Sequence, residues 1–179
     1  MCKPLAILVM LTATPWLAGC GSSLETLNQL AAAGNIHEQA PVTAHLRIQI
    51  AAPPAKVWAL LIDASNWPKW QKQIASVAVA GPLQNGTRFT WKTGGAQIHS
   101  QVQLFDPERR LGWTGTAMTA KAIHVWELEA KPGNQTLVTV RESMDGPFMA
   151  QMFPSAKLAE TDTEWLKALK HEAEGQPPS

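Results

Sequence analysis

Between Ile74 and Ser143 the chain is one alternating apolar/polar segment after another, each closed by turn chemistry, and no helical period interrupts the series. Ile74–Val79 runs into Gly81-Pro82, Thr87–Lys92 into Gly94-Gly95, and Ile98–Phe105 into Asp106-Pro107-Glu108-Arg109. Leu111–Thr116 follows, then Ala120–Glu129 into Lys131-Pro132-Gly133-Asn134, then Thr136–Ser143 into Asp145-Gly146-Pro147. Successive strands joined by such short turns predict an antiparallel meander. Upstream, Leu46, Ile48 and Ile50 alternate on a further strand over Ala44–Ile50. The Pro53-Pro54 pair then opens a short helix in which Val57, Leu60 and Leu61 recur at helical spacing, and Ser65 offers a cap for a second one through Trp67–Trp70. Helical period returns only at the end, where Leu158, Thr161, Trp165 and Leu169 form a stripe and Gly175 with two prolines stops it. A sheet with one apolar face needs a cover. The one long amphipathic helix can supply it, so the fold class is α+β, with a curved sheet around a terminal helix and a pocket between them.

The first residues are of another kind. Lys3 and the apolar run Leu5–Leu11 precede Leu17-Ala18-Gly19-Cys20. A charged start, a short apolar middle and small residues before a cut site make a secretory signal peptide, and the run is far below the roughly 20 residues of a membrane-spanning helix. Leu-Ala-Gly-Cys resembles the lipobox of bacterial lipoproteins. The resemblance implies that residues 1–19 are removed and that Cys20 becomes the acylated first residue of the mature chain, a membrane anchor. Gly21 and Ser22 follow the cysteine rather than Asp, which implies the outer membrane, facing the periplasm, in preference to the inner membrane.

Without the leader, 14 Lys+Arg stand against 14 Asp+Glu, since Lys3 is the only charge lost. That balance argues against nucleic acid or an anionic membrane surface as the main partner. Cys2 leaves with the leader and Cys20 is taken by the lipid, so no thiol remains for a disulfide, a zinc site or a nucleophile. The histidines, at 37, 45, 99, 124 and 171, show no metal-ligand spacing, and no Gly-rich loop leads from a strand into a helix. No metal and no cofactor are therefore expected. Residues 20–41, rich in Ser, Ala, Asn and Gln, read as a tether with a frayed turn near Leu24–Leu30, reaching about 25 Å as a flexible coil. The folded domain is expected over 42–173, with a disordered tail at 174–179.

The order strand, two short helices, six strands and one long helix, with Ile48-Gln49-Ile50-Ala51-Ala52-Pro53-Pro54-Ala55-Lys56-Val57-Trp58 passing into Asp63-Ala64-Ser65-Asn66-Trp67-Pro68-Lys69-Trp70, resembles the START/birch-pollen-allergen superfamily (SRPBCC). Leu111-Gly112-Trp113-Thr114-Gly115, Ala122–Glu129, Thr136-Leu137-Val138 and Glu142-Ser143-Met144-Asp145-Gly146 match its polyketide cyclase/dehydrase-like branch. The resemblance implies a helix-grip fold with a deep apolar cavity, and binding or transport of lipids, sterols or aromatic compounds, with cyclisation or dehydration in some members.

Alternation assigns the candidate site. On the strand at 120–129, Lys121, Ile123, Val125, Glu127 and Glu129 share the face expected toward water, which turns Ala122, His124, Trp126 and Leu128 inward. The next strand places Thr136, Val138, Val140, Glu142 and Met144 inward. If its turn pairs Leu128 with Val138, His124 lies opposite Glu142. That pair suits three roles: a mutually satisfied polar couple, a ligand anchor, or an acid/base pair. Trp91, Ser100, Trp113 and Trp126 are the expected cavity wall, with Met144, Met149, Met152 and Phe153 at its mouth. Trp58, Trp67 and Trp70 are expected to brace the short helices against the sheet.

No complete catalytic constellation is visible, and Ser143 lacks the glycine elbow of a serine hydrolase. The expectation is an anchored binder or carrier of a small hydrophobic or amphipathic molecule. An enzyme using His124 and Glu142 for proton transfer is the alternative, and an envelope interaction module with a filled core is a third reading.

Overall fold

A computed structural model describes residues 22–175. The leader 1–19, Cys20 and residues 176–179 of the expected tail lie outside the described residues. The elements are α1 (Leu24–Ala32), β1 (Val42–Ile50), α2 (Pro54–Ile62), a single 3-10 turn at Ala64–Asn66, α3 (Trp67–Trp70), β2 (Ile74–Ala78), β3 (Arg88–Thr93), β4 (Ala96–Asp106), β5 (Arg110–Ala117), β6 (Ala120–Lys131), β7 (Gln135–Asp145), α4 (Met149–Met152) and α5 (Ser155–Glu174). The strands form one antiparallel sheet in the order β1-β7-β6-β5-β4-β3-β2. It is the expected meander, with β1 added beside β7. The register across β6 and β7 pairs Leu128 with Val138 and His124 with Glu142.

Local chemistry explains where the helices start and stop. Pro54 opens α2, where its missing N–H costs nothing and its fixed φ suits the first turn. Ser65 does not cap the next turn: its hydroxyl donates to Asp63 Oδ1 at 2.8 Å, and the Asn66 amide donates to Asp63 Oδ2 at 2.6 Å. The helical segment before Gly175 divides in two. Pro154 is the N-cap of α5, and α4 is a separate four-residue turn ahead of it. Gly175, at φ 67°, ends α5 by donating its N–H to the Glu172 carbonyl at 3.3 Å. No helix among the described residues is long and apolar enough to cross a membrane.

The segment expected as a tether is instead part of the fold. Ser23 caps α1 by accepting the Thr26 N–H at 3.1 Å, and Leu27, Ala31 and Ile36 are buried against Ile123 and Val125. Those two strand residues, expected to face water, are fully buried. The physical reason is their apolarity: a Val/Ile pair on the outer face needs a cover just as the inner face does, and the Leu/Ala stripe of α1 provides it. Polar contacts fix the register of this clamp. Asn28 Oδ1 accepts from Thr114 at 2.8 Å and from Gln103 at 3.2 Å, the Arg141 guanidinium donates to the Gly34 carbonyl at 2.7 Å, and Lys121 donates to the Ser22 carbonyl at 2.7 Å. His37 lies 3.0 Å from the Asp145 carboxylate and donates its backbone N–H to Ser143 Oγ at 3.1 Å.

The inner face, under α5, holds the main core. It joins Leu61, Trp67, Phe89, Trp91, Val102, Leu111, Trp113, Trp126, Val138, Val140, Trp165, Leu166 and Leu169.

Candidate functional site

His124, on β6, is 3% exposed although its inward neighbours are apolar. Its imidazole is stacked between Trp113 (ring centroids 4.6 Å apart, 19°) and Trp126 (5.2 Å, 16°), and Trp165 of α5 meets it edge-on at 5.3 Å. Strand alternation produces the stack, because Trp113 pairs with His124 across β5 and β6, and Trp126 is the next inward residue of the same strand. His124 Nδ1 lies 2.9 Å from Glu142 Oε2, so the expected juxtaposition is present as a contact.

The third member of the cluster is Asp162, from α5. It is 2% exposed, and its carboxyl is hydrogen-bonded to that of Glu142. The sequence reading placed Thr161 on the buried stripe. The stripe is in fact Leu158–Asp162–Trp165–Leu169, with Thr161 only partly buried and its hydroxyl donating to the Lys157 carbonyl at 3.0 Å. A carboxylate at i+4 from Leu158 and i−3 from Trp165, on an otherwise apolar face, was the available signal.

The electrostatics follow from burial. Desolvation pulls the His124 imidazole down to about 4, against the raising influence of Asp162. It pushes Glu142 up to about 7, partly offset by the hydrogen bond from Asp162. Asp162 rises to about 8, first through burial, then through the nearby charge of Glu142, with His124 acting in the opposite sense and the proton shared with Glu142 adding to the rise. Near neutral pH the imidazole is therefore uncharged, and the two carboxyls hold their protons far longer than exposed ones would.

Four polar atoms in this region have no hydrogen-bond partner among the described residues: His124 Nε2, Asp162 Oδ2, Trp126 Nε1 and Trp165 Nε1. The two indoles, 5.6 Å apart, are both within 5.3 Å of the imidazole by ring centroid. Orphaned buried polar groups are few in native proteins, each costing about 1–3 kcal/mol. Two indole N–H groups, an imidazole nitrogen and a carboxyl oxygen are thus unpartnered in one buried, largely apolar region. His124, Glu142 and Asp162 also each offer a ligand atom, all within 4.8 Å of one another. A cation could use that set only after displacing the proton between the carboxyls.

The expected wall residues are inward and closely packed. Trp91, Trp113 and Trp126 are buried, and Ser100 accepts the Trp91 indole N–H at 3.0 Å. The space between them is filled from the cover. Trp67, fully buried and donating its indole N–H to the Leu61 carbonyl at 3.1 Å, packs against Phe89, Trp91, Trp113 and Trp165. It braces α3 against the sheet, as expected, and does so from deep in the core. Two pockets, of about 170 and 250 Å³, open elsewhere on the surface, and of the expected wall residues Ser100 alone borders either. At the mouth, Met144, Met149 and Phe153 pack with Val42, Ala44 and Leu158, while Met152 is 65% exposed.

The comparisons agree with this architecture. No curated protein matches the chain. Among solved structures, a hypothetical protein of Helicobacter pylori superposes with a TM-score of 0.68 at 22% identity, covering 76% of this chain and 90% of that one. A START superfamily protein of Mycobacterium smegmatis gives 0.65 at 15% identity (74% and 97%), and an aromatase/cyclase of Streptomyces sp. R1128 gives 0.62 at 18% (74% and 93%). These likenesses concern the fold: a seven-stranded antiparallel sheet gripping a long C-terminal helix. The sequence itself matches, over residues 41–174, the model of the family described as polyketide cyclase/dehydrase and lipid transport. With β1 through α5 all inside that match, the chain belongs to the polyketide cyclase/dehydrase and lipid transport family.

Proposed function

We propose that this protein is a lipid-anchored envelope protein that binds a small, neutral, mostly apolar molecule bearing a carbonyl or hydroxyl group, held by its polar end at the His124–Glu142–Asp162 cluster. The observation that carries the reading is the set of unpartnered polar atoms on His124, Asp162, Trp126 and Trp165, with the two indole rings crowded around the imidazole. Two indole N–H groups suit a carbonyl oxygen, and His124 Nε2 suits a hydroxyl. A carboxylate ligand would meet repulsion from Glu142 and Asp162 once either ionises. The family's description as cyclase/dehydrase and lipid transport supports a small-molecule role.

The indoles pack closely around His124, and the proposed binding has α5 lift from the sheet to admit the molecule. The break at Pro154, with a four-residue α4 before it, is where such a movement would hinge. Asp162 lies on the third turn of α5 from that end, and Glu142 retains 13% side-chain exposure. The anchor on Cys20, and with it the placement at the outer membrane facing the periplasm, rests on the Leu-Ala-Gly-Cys leader.

Titration of the protein with prodan, a neutral fluorescent aromatic ketone, tests the binding. A saturable blue shift with energy transfer from the indoles, weakened about tenfold or more by His124→Phe with Glu142→Gln, is expected. No saturable uptake would contradict the reading and turn attention to protein partners. Proton-transfer catalysis is the second reading. It is favoured by one observation, the neutral-range titration of Glu142 and Asp162 beside an uncharged imidazole.

A further inference from the structure

Three large apolar side chains are exposed together at one end of the domain. Met118 is 102% exposed in the β5–β6 turn, and Phe148 (74%) and Met152 (65%) stand exposed around the start and end of α4. The two turns touch: a Cβ on Gly146 would lie 3.3 Å from Ala120 Cα and from the Thr119 carbonyl, and Lys121 pairs with Asp145 at the strand ends below. Met118 (φ 53°) and Phe148 (φ 58°) both hold left-handed backbone conformations, which glycine or asparagine would adopt at lower cost. A strained turn that displays Met and Phe to solvent is costly twice over, and neither side chain packs in the core.

The chain's exit sits at this same end. Lys121 fixes the Ser22 carbonyl, so the first described residue, two positions after Cys20, is held beside the β5–β6 turn. Leu24, 41% exposed, is close by, bordering the same pocket as Thr116. Asp145, the carboxylate nearest this end of β7, is 4% exposed and engaged by His37, so it presents little charge there. The opposite end is polar, formed by Asp106–Arg109 and Lys131–Gln135.

We infer that the end of the domain carrying Met118, Phe148 and Met152 is a membrane-docking face, seated on the bilayer that holds the Cys20 anchor. The inference rests on the lipoprotein reading of Cys20. Because α1 and Ser22 are fixed to the sheet, the domain has no long tether on which to tumble. Its orientation is set, with the α4 end of the site compartment directed at the lipid. The occupant is the bilayer interface, into which apolar side chains sink by about 5–10 Å.

Photo-crosslinking in intact cells separates the possibilities. Met118→p-benzoylphenylalanine and Phe148→p-benzoylphenylalanine are irradiated beside Asn134→p-benzoylphenylalanine at the opposite end, and the adducts are read by mass. Cys20 acylation is measured separately on the same protein. Phospholipid adducts about tenfold or more abundant at 118 and 148 than at 134 are expected, because those two side chains would lie within the interface. Acylated Cys20 with equal adducts at all three positions, or with protein adducts at 118 and 148, overturns the docking face and leaves the anchor standing. Unacylated Cys20 overturns the anchor reading, and lipid adducts confined to 118 and 148 would then still uphold the face.

Discussion

Asp162 on α5 and Glu142 on β7 face each other across the helix–sheet interface and share a hydrogen bond, with His124 Nδ1 2.9 Å from the Glu142 carboxyl. Two carboxyls in that position need a proton between them. The contact therefore ties the closure of the covering helix to the protonation of the site.

That tie has a sign. Glu142 (about 7 folded against 4.5) and Asp162 (about 8 against 3.8) are raised in the folded state, so each contributes stability at low pH that is lost as pH rises through its folded value. His124, depressed from 6.5 to about 4, contributes stability above 6.5 that is lost as pH falls through about 4. Between pH 6.5 and 8 the carboxyls act alone. Denaturation midpoints should rise as pH is lowered from 8 to 6.5, and Asp162→Asn should flatten that slope. An unchanged slope in the variant would count against the shared proton.

His124→Phe keeps a flat ring between Trp113 and Trp126 while removing both nitrogens. The fold should survive, since stacked aromatic pairs are worth only about 0.5–1.5 kcal/mol beyond their burial. Prodan affinity should fall about tenfold or more if Nε2 and the Glu142 contact hold the ligand's polar end. Equal affinity in a folded variant would assign the imidazole a packing role alone, as would an unaltered pH dependence of binding.

Trp67 fills the centre of the compartment. Trp67→Ala should destabilise the domain by about 3–5 kcal/mol, through lost burial and the space left behind. It should also admit small aromatic probes more readily than the native chain, a combination read from denaturant midpoints and probe titration. A loss of stability with no gain in uptake would mean that the site collapses rather than opens.

The clamp by α1 makes a separate demand. Leu27→Ala removes a fully buried side chain from the contact with Ile123 and Val125 and should cost about 2–5 kcal/mol of global stability. A solvated tether would give no measurable change. Calorimetry on the mature protein distinguishes the two.

Strand alternation and turn residues carried most of the architecture, because a period of two leaves little freedom once one face is apolar. The His124–Glu142 pairing followed from one turn, Lys131–Asn134. Asp162 was overlooked because Thr161 and Asp162 are adjacent on the helix and a polar residue on the stripe reads as its boundary. How tightly the inward Trp side chains pack was not legible for a different reason. Alternation says which Trp side chains point inward, but not how far Trp67 and Trp165 descend from the cover to meet them. Likewise Leu24, Leu27, Leu30 and Ala31 give a short stripe with no visible partner until Ile123 and Val125 are seen to be apolar on an outer face.

The most direct test of the binding account is a native mass spectrum of the protein as purified. A discrete extra mass, released on denaturation and identified as one neutral lipid or aromatic molecule bearing a carbonyl or hydroxyl, is the predicted result. A mass with no small molecule bound, together with no prodan uptake, would contradict it and leave the indole-filled interior as a structural core.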